Sequence, residues 1–399
     1  MIILFDVDGV LVQHRAYHLG LSRTVGYFSQ RLGVPEQVAL TQAEIDEFEA
    51  QSVTVEWESS AISVAALVLA RLRAEAGAGK PAGEGLPAFW QAVDALGAQP
   101  PRAVARPDFS ALARQVGARA SSRRKPAHIA LELLEAESAG AAWADTAQPL
   151  LRQLLADCYA VDFSPTHQVV QNYALGHAGY AAVYQLPPHF EHPALLETED
   201  RPFLQPAWRD RLLAERAAGR LYFTLYTARP SLPPVEVTEP QRGYTPEAEM
   251  ALTLVGLERA GPARVPIMGV GRLEWVARLS GRSAMEWVKP SPIHALAGLA
   301  AAHTRRELDA VYAAVAVEAG QALPALYTDC AGEHVHVFED SASSLRGVTR
   351  AVEMLNAHGL GLTLTRHGIA PAGSSKHAAL SQVADYLHAD VNAGLQMIL

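Results

Sequence analysis

Two aspartates two residues apart, Asp6 and Asp8, follow directly on an apolar run at residues 1–5, and Gly9 follows them. Ligands of open α/β sheets lie at the carboxyl ends of strands, so two carboxylates there stand where a bound group would sit. A glycine next to them lets the backbone turn sharply and pass close to that group. Such a pair also suits a calcium or magnesium site without chemistry, or a turn with solvated acids. Three more polar groups close apolar segments far along the chain. They are Thr227, Lys289 (followed by Pro290-Ser-Pro292), and Glu339-Asp340-Ser341. Each has an ordinary reading by itself. Thr227 reads as a strand-end turn residue, and Lys289 as a surface lysine before a helix with proline in its first turn. Glu339 or Asp340 reads as a helix N-cap. The joint order of the four is what these separate readings leave unexplained.

To act together, these residues must be carried on neighbouring strands. The continuous apolar run at residues 1–5 reads as a strand buried on both faces, at the centre of a parallel sheet. Residues 221–226, 265–270, 334–338 and 362–365 read as further strands, and residues 285–288 are strand-like before Lys289. Helices are expected near 206–220, 246–260, 293–302 and 308–319, with a closing helix near 383–399. Strands alternating with helices imply a parallel sheet with right-handed crossovers.

Between Val12 and about residue 195 the pattern is helical instead. Thr41-Gln-Ala-Glu44 has the form of a capping box, and Ile45 and Phe48 begin the apolar stripe of the helix it opens. Residues 62–72 are apolar nearly all round, which predicts a buried helix. Breaks are expected at 76–87, at Pro100-Pro101, at 119–126 and around Pro187, Pro188 and Pro193. Shorter helical segments fall at 109–116, 128–137 and 146–159. The expected class is α/β: a Rossmann-like parallel-sheet core made of 1–13 and 196–399, with a large, mainly helical domain inserted at 14–195.

The chain has 399 residues, enough for two or more domains at roughly 100–200 residues each. Its apolar fraction of 49% can supply sizeable cores, and its net charge of −9 argues against a nucleic-acid-binding surface. Cys158 and Cys330 lie far apart, which makes no disulfide framework and fits a reducing cytoplasm. The amino terminus has no basic n-region and carries acids after its apolar run, unlike a signal peptide. No long uncharged apolar window suggests a membrane span.

In order, Asp6-x-Asp8-Gly9-Val-Leu, the strand ending at Thr227, Lys289-Pro-x-Pro and the strand ending at Glu339-Asp340-Ser341 resemble the four signatures of the haloacid dehalogenase (HAD) superfamily. The resemblance covers residues 1–12 and about 200–399. The insert stands where that family carries its first type of cap (C1), and it is long for one. The resemblance implies a HAD-like core and a phosphatase that uses magnesium, Mg2+. It implies Asp6 as the nucleophile that becomes an aspartyl-phosphate, with Asp6, Asp340 and the Asp8 backbone carbonyl as metal ligands. Glu339 would ligate directly or through water. Lys289 would neutralise charge on the phosphoryl oxygens, and the Thr227 hydroxyl would donate to one of them. The Asp8 side chain would protonate the leaving oxygen and then take a proton from water. An acid at Asp8 fits phosphate-ester hydrolases and phosphomutases, and members that cleave carbon–halogen or carbon–phosphorus bonds usually lack it.

The expected partner is a small-molecule phosphate ester, with no nucleic acid and no membrane, in the cytoplasm. Two other readings stand beside the phosphatase: a phosphomutase of the beta-phosphoglucomutase type, and a non-catalytic ligand-binding protein on the same fold. Gly9, Arg229, Glu56 and Trp57 are candidate substrate contacts. Arg229 would sense phosphate or pair with an acid. Glu56-Trp57-Glu58, read as a loop before a buried helix, resembles a cap loop of related phosphatases, with helix capping as the plainer reading. Arg119, Arg123, Arg124 and Lys125 form a basic cluster that is more simply a solvated loop. Cys330, His334 and His336 are close enough in sequence to suggest zinc, but no fourth ligand is apparent.

Overall fold

The computed structural model describes residues 1–34, 38–74, 83–100, 104–121, 124–238 and 242–399. The chain divides into two compact units, one of Met1–His14 with Glu199–Leu399 and one of Arg15–Thr198.

In the first unit, β1 (Ile2–Phe5) is followed by β2 (Val12–Gln13) and β3 (Arg201–Pro202), which pair antiparallel with each other. Then come β4 (Tyr222–Tyr226), β5 (Ile267–Met268), β6 (His334–Glu339), β7 (Thr363–Ile369) and β8 (Tyr386–His388). A six-stranded sheet has the order β5-β4-β1-β6-β7-β8, and its strands are all parallel. The protein is thus an α/β fold with a parallel sheet flanked by helices. β1 is the middle of that sheet, with Phe5 beside Leu225 on one side and Phe338 on the other.

Both faces of β1 are covered, which is why its sequence does not alternate. Ile2 and Leu4 join one core with helix Pro292–Thr304, and Ile3 and Phe5 join the other. All four side chains are fully buried, worth roughly 1.5–3 kcal/mol each. Gly298 lets the helix approach, since a β-carbon there would lie 3.3 Å from Leu4 Cδ2. The chain moves outward from β1 to β4 and β5, then crosses back to β6 on the other side of β1. That reversal falls between β1 and β6, and ligands of open α/β sheets bind at the carboxyl ends of strands at such a point.

Two local expectations differ from the structure. Residues 383–399 are not one helix: β8 precedes helix Val391–Ile398, whose N-cap is Asp390. A three-residue strand gives too short a pattern to separate from an amphipathic helix. Residues 285–288 are not a strand. A 3₁₀ turn spans Ala284–Glu286, and Trp287 is fully buried. Helix Pro292–Thr304 begins at Pro292, with Ser291 as its N-cap.

The second unit is helical in its described residues. Helix Glu56–Ala74 lies at its centre, buried from Glu58 to Leu72. It packs against helices Ala16–Arg31, Pro126–Ser138, Ala144–Leu155 and Pro165–Tyr184. An all-round apolar helix needs neighbours on every side, and here it has them. The capping box at Thr41 is formed: Glu44 N–H donates to the Thr41 hydroxyl, and Thr41 N–H donates to Glu44 Oε2 at 2.8 Å. The break expected at 76–87 lies largely outside the described residues, as do Pro101 and Arg123. Among the described residues, no helix is long and apolar enough to cross a membrane.

Candidate active site

Asp6 is the first residue past β1. Its N–H donates to the Phe338 carbonyl at 3.0 Å, extending the β1–β6 pairing by one residue and placing Asp6 beside Glu339. The Asp6 carboxylate is fixed at Oδ1, which accepts from Val7 N–H at 2.7 Å and lies 2.7 Å from Lys289 Nζ. The other oxygen, Oδ2, stands outside these contacts. Lys289 Nζ also lies 2.6 Å from Glu339 Oε1 and donates to the Tyr226 carbonyl at 3.2 Å. The three side chains are 7%, 8% and 0% exposed for Lys289, Asp6 and Glu339. One ammonium therefore bridges two acids in a nearly dry setting.

Lys289 comes from a loop and not from a strand end, so something else must hold it. Its N–H donates to His294 Nδ1 at 3.1 Å, and His294 Nε2 lies 2.9 Å from the Met268 carbonyl. These partners require a neutral imidazole carrying its proton on Nε2. Burial pushes His294 down to about 3, which keeps it neutral. The same Met268 carbonyl accepts from Thr227 N–H at 3.0 Å. His294 thus ties the Lys289 loop to the edge where Thr227 leaves β4. Thr227 is fully buried, and its Oγ1 accepts from Arg229 N–H at 3.1 Å.

Asp340 completes an acidic group: carboxylate oxygens of Asp6, Glu339 and Asp340 lie within 4.8 Å of one another. Asp340 does not cap the helix that follows. Ser341 does, accepting from Ser344 N–H, so the Asp340 carboxylate turns elsewhere. Its Oδ2 lies 2.5 Å from Lys376 Nζ. Gly9 packs against it with φ +75°, and a β-carbon there would fall 2.3 Å from Asp340 Oδ2.

Asp8 is turned to a different partner. Arg229 Nε donates to both Asp8 oxygens at 3.0 Å, and Nη2 donates to Oδ1 at 2.6 Å. Arg229 Nη2 also donates to Asp200 Oδ2 at 2.8 Å. Of the two readings for Arg229, pairing with an acid is therefore the one observed.

Burial, and then the charge of Glu339, push the Asp6 carboxyl well above its usual range, against the pull of Lys289. Burial likewise raises Glu339, again opposed by Lys289. Burial works against the Lys289 ammonium, but Asp6 and Glu339 outweigh it and hold the proton more firmly than usual. The cluster thus sets three carboxyls, Asp6, Glu339 and Asp340, against two ammoniums, Lys289 and Lys376. Burial by itself would also raise Asp8, but the charge and hydrogen bonds of Arg229 outweigh it, and its carboxyl sits below the usual range.

Asp6, Lys289 and Glu339 are in direct contact, with Asp340 and Gly9 beside them and Thr227 at the neighbouring strand end. Glu56 and Trp57 belong to the helical unit. They form the first turn of helix Glu56–Ala74 and not a loop, because Glu58 and Ser59 already donate to the Val55 carbonyl. Trp57 stacks on His167 at 4.5 Å. Arg124 pairs with Glu132, both exposed, as a solvated cluster would. His334 and His336 stack at 4.3 Å, and their partners are Thr365 and His367 rather than Cys330. Sequence reasoning missed His294, Asp200 and Lys376. A histidine in the first turn of an apolar helix was a faint signal, whereas Asp200 and Lys376 gave none.

No family model matches this chain, and no curated protein does. Among solved structures, a crystal structure of a Northeast Structural Genomics Consortium target aligns over 99% of this chain and 98% of its own, with TM-score 0.63 and 13% identity. The phosphatase Tt82 from Thermococcus thioreducens aligns over 100% of this chain and 98% of its own, with TM-score 0.43 and 14% identity. The first likeness is one of fold: a parallel α/β sheet flanked by helices.

Proposed function

We propose that this protein is a phosphatase of the haloacid dehalogenase type, hydrolysing a small phosphate monoester through a phosphorylated Asp6. The observation that carries the reading is the Lys289 ammonium held between Asp6 and Glu339, with Asp340 alongside, at the carboxyl ends of β1 and β6. A carboxylate is a competent nucleophile toward phosphorus, provided charge repulsion is offset. Lys289 offsets part of it and pulls the attacking carboxyl toward its ionised form, against the burial and the charge of Glu339 that raise it.

The excess of carboxylates fits a hard divalent cation with oxygen ligands. Asp6, Asp340 and the Asp8 carbonyl would hold magnesium directly. Glu339 is engaged at both oxygens, by Lys289 and by Ser341 N–H at 3.2 Å, which favours contact through water. When bound, the ion supplies positive charge beside the phosphoryl group.

The chain's own residues then carry the steps. An Asp6 oxygen attacks phosphorus, and the bond from phosphorus to the ester oxygen breaks. The leaving oxygen takes a proton from Asp8, while Thr227 donates a hydrogen bond to a phosphoryl oxygen. Water next attacks the aspartyl-phosphate, giving its proton to Asp8, and inorganic phosphate leaves. The low pKa of Asp8 beside Arg229 suits this second half. A phosphate dianion entering the site would raise it, as the first half requires.

The test is release of inorganic phosphate from an aryl phosphate, with magnesium or with chelator. Turnover is expected only with magnesium, and Asp6→Asn should lower it by more than about 1,000-fold with the fold intact. Turnover unaffected by chelator removes the metal, and wild-type rates in Asp6→Asn remove the nucleophile. Conversion of a sugar phosphate to its isomer without phosphate release would identify a mutase instead.

A further inference from the structure

Arg229 divides one guanidinium between two carboxylates. Its side chain is 1% exposed, that of Asp200 is 0% exposed, and that of Asp8 is 28% exposed. Nη2 donates to both acids, the fully buried Asp200 and the solvent-edge Asp8, and Nε donates to Asp8. A buried carboxylate is tolerated when an opposite charge and hydrogen bonds compensate it, and Arg229 Nη2 supplies both to Asp200 at 2.8 Å.

The guanidinium is planar, and its donors are rigidly spaced. Holding Nη2 at Asp200 therefore fixes the plane of the guanidinium and the direction in which Nε and Nη2 face Asp8. Asp8 otherwise lies at the edge of solvent, where a short side chain has several rotamers open to it. Arg229 is also tied at its backbone, donating from N to Thr227 Oγ1 at 3.1 Å.

We propose that Asp200 is a positioning residue for the reaction: through Arg229 it holds the Asp8 carboxylate in the orientation from which it exchanges a proton with the ester oxygen. This rests on the phosphatase reading above. Asp200 touches no reacting atom in this scheme. Its effect must therefore fall on proton transfer to the leaving group and not on binding of the phosphoryl group.

The experiment compares two esters, p-nitrophenyl phosphate and glycerol phosphate, in Asp200→Asn and in Arg229→Lys. A nitrophenolate leaves readily without a proton, whereas an alkoxide does not. General acid catalysis contributes about 100- to 10,000-fold, so in both variants kcat on glycerol phosphate should fall at least about tenfold further than kcat on p-nitrophenyl phosphate. KM should change by less than about threefold on either ester. Circular dichroism and the urea midpoint report whether each variant is folded.

Equal losses on the two esters in an otherwise active protein, or no loss, overturn the proposal. So does loss of the folded state in both variants, which would assign the pair to stability. An unaltered protein that hydrolyses neither ester is a different outcome: it removes the phosphatase reading, and this proposal with it.

Discussion

Lys289→Met removes the ammonium that lies 2.7 Å from Asp6 and 2.6 Å from Glu339, and keeps an unbranched side chain of similar reach. Deleting one partner of a buried ion pair typically costs about 3–5 kcal/mol, because the other charge is left uncompensated. Here two carboxylates, 8% and 0% exposed, lose the same partner. Proton uptake limits the damage. Protonating a carboxyl whose ordinary value is 4.5, as for Glu339, costs about 4 kcal/mol at pH 7.5. The expected destabilisation at that pH in chelator is therefore about 3–4 kcal/mol, read from urea unfolding.

The pH dependence has a definite sign. Asp6 and Glu339 already have raised folded values, and the variant raises them further. Such a carboxyl contributes stability that is fully present below its unfolded value and lost as pH rises through its folded value. The deficit of the variant should be largest at pH 7.5 and shrink toward the ordinary values of 3.8 and 4.5. Magnesium should recover part of it at pH 7.5. A deficit below about 1 kcal/mol, the range of exposed pairs, would refute the buried bridge. A deficit that grows on acidification would refute the assignment of the charges.

Gly9→Ala places a β-carbon against Asp340 Oδ2 at a backbone φ of +75°. It should cost about 1–3 kcal/mol of stability and raise the magnesium concentration for half-maximal turnover at least about tenfold; an unchanged magnesium requirement would separate Asp340 from the metal. Burial holds His367 down to about 3 and His336 down to about 4, from an ordinary 6.5. Stability from such neutral histidines is fully present above 6.5 and is lost as pH falls, by up to about 1.4 kcal/mol per pH unit for each group. The urea unfolding free energy should therefore decline from pH 6.5 to 5, and His367→Phe should flatten the decline; identical slopes would refute it.

What was readable in the chain followed the range of the forces involved. The run at residues 1–5 had to be a central strand, because a segment apolar at every position needs cover on both faces. The Thr41–Glu44 cap was equally readable, since its two hydrogen bonds join residues three apart. Readability failed where patterns were short. β8 has three residues, and the segment before Lys289 is apolar because Trp287 is buried in a turn, not because it pairs with a strand.

By itself the sequence determined that Asp6 and Asp8 follow a buried strand, and that further polar residues close later apolar segments. Residue type and local periodicity carry that much. Only the tertiary structure decided which charges meet. Lys289 comes to Asp6 and Glu339 because a loop pinned by His294 delivers it. Asp8 is held by Arg229, and Arg229 by Asp200, across 221 and 29 residues of chain. Ion pairs form wherever the fold brings opposite charges into a dry place. Their partners are therefore set by strand order and loop path, which no local pattern encodes.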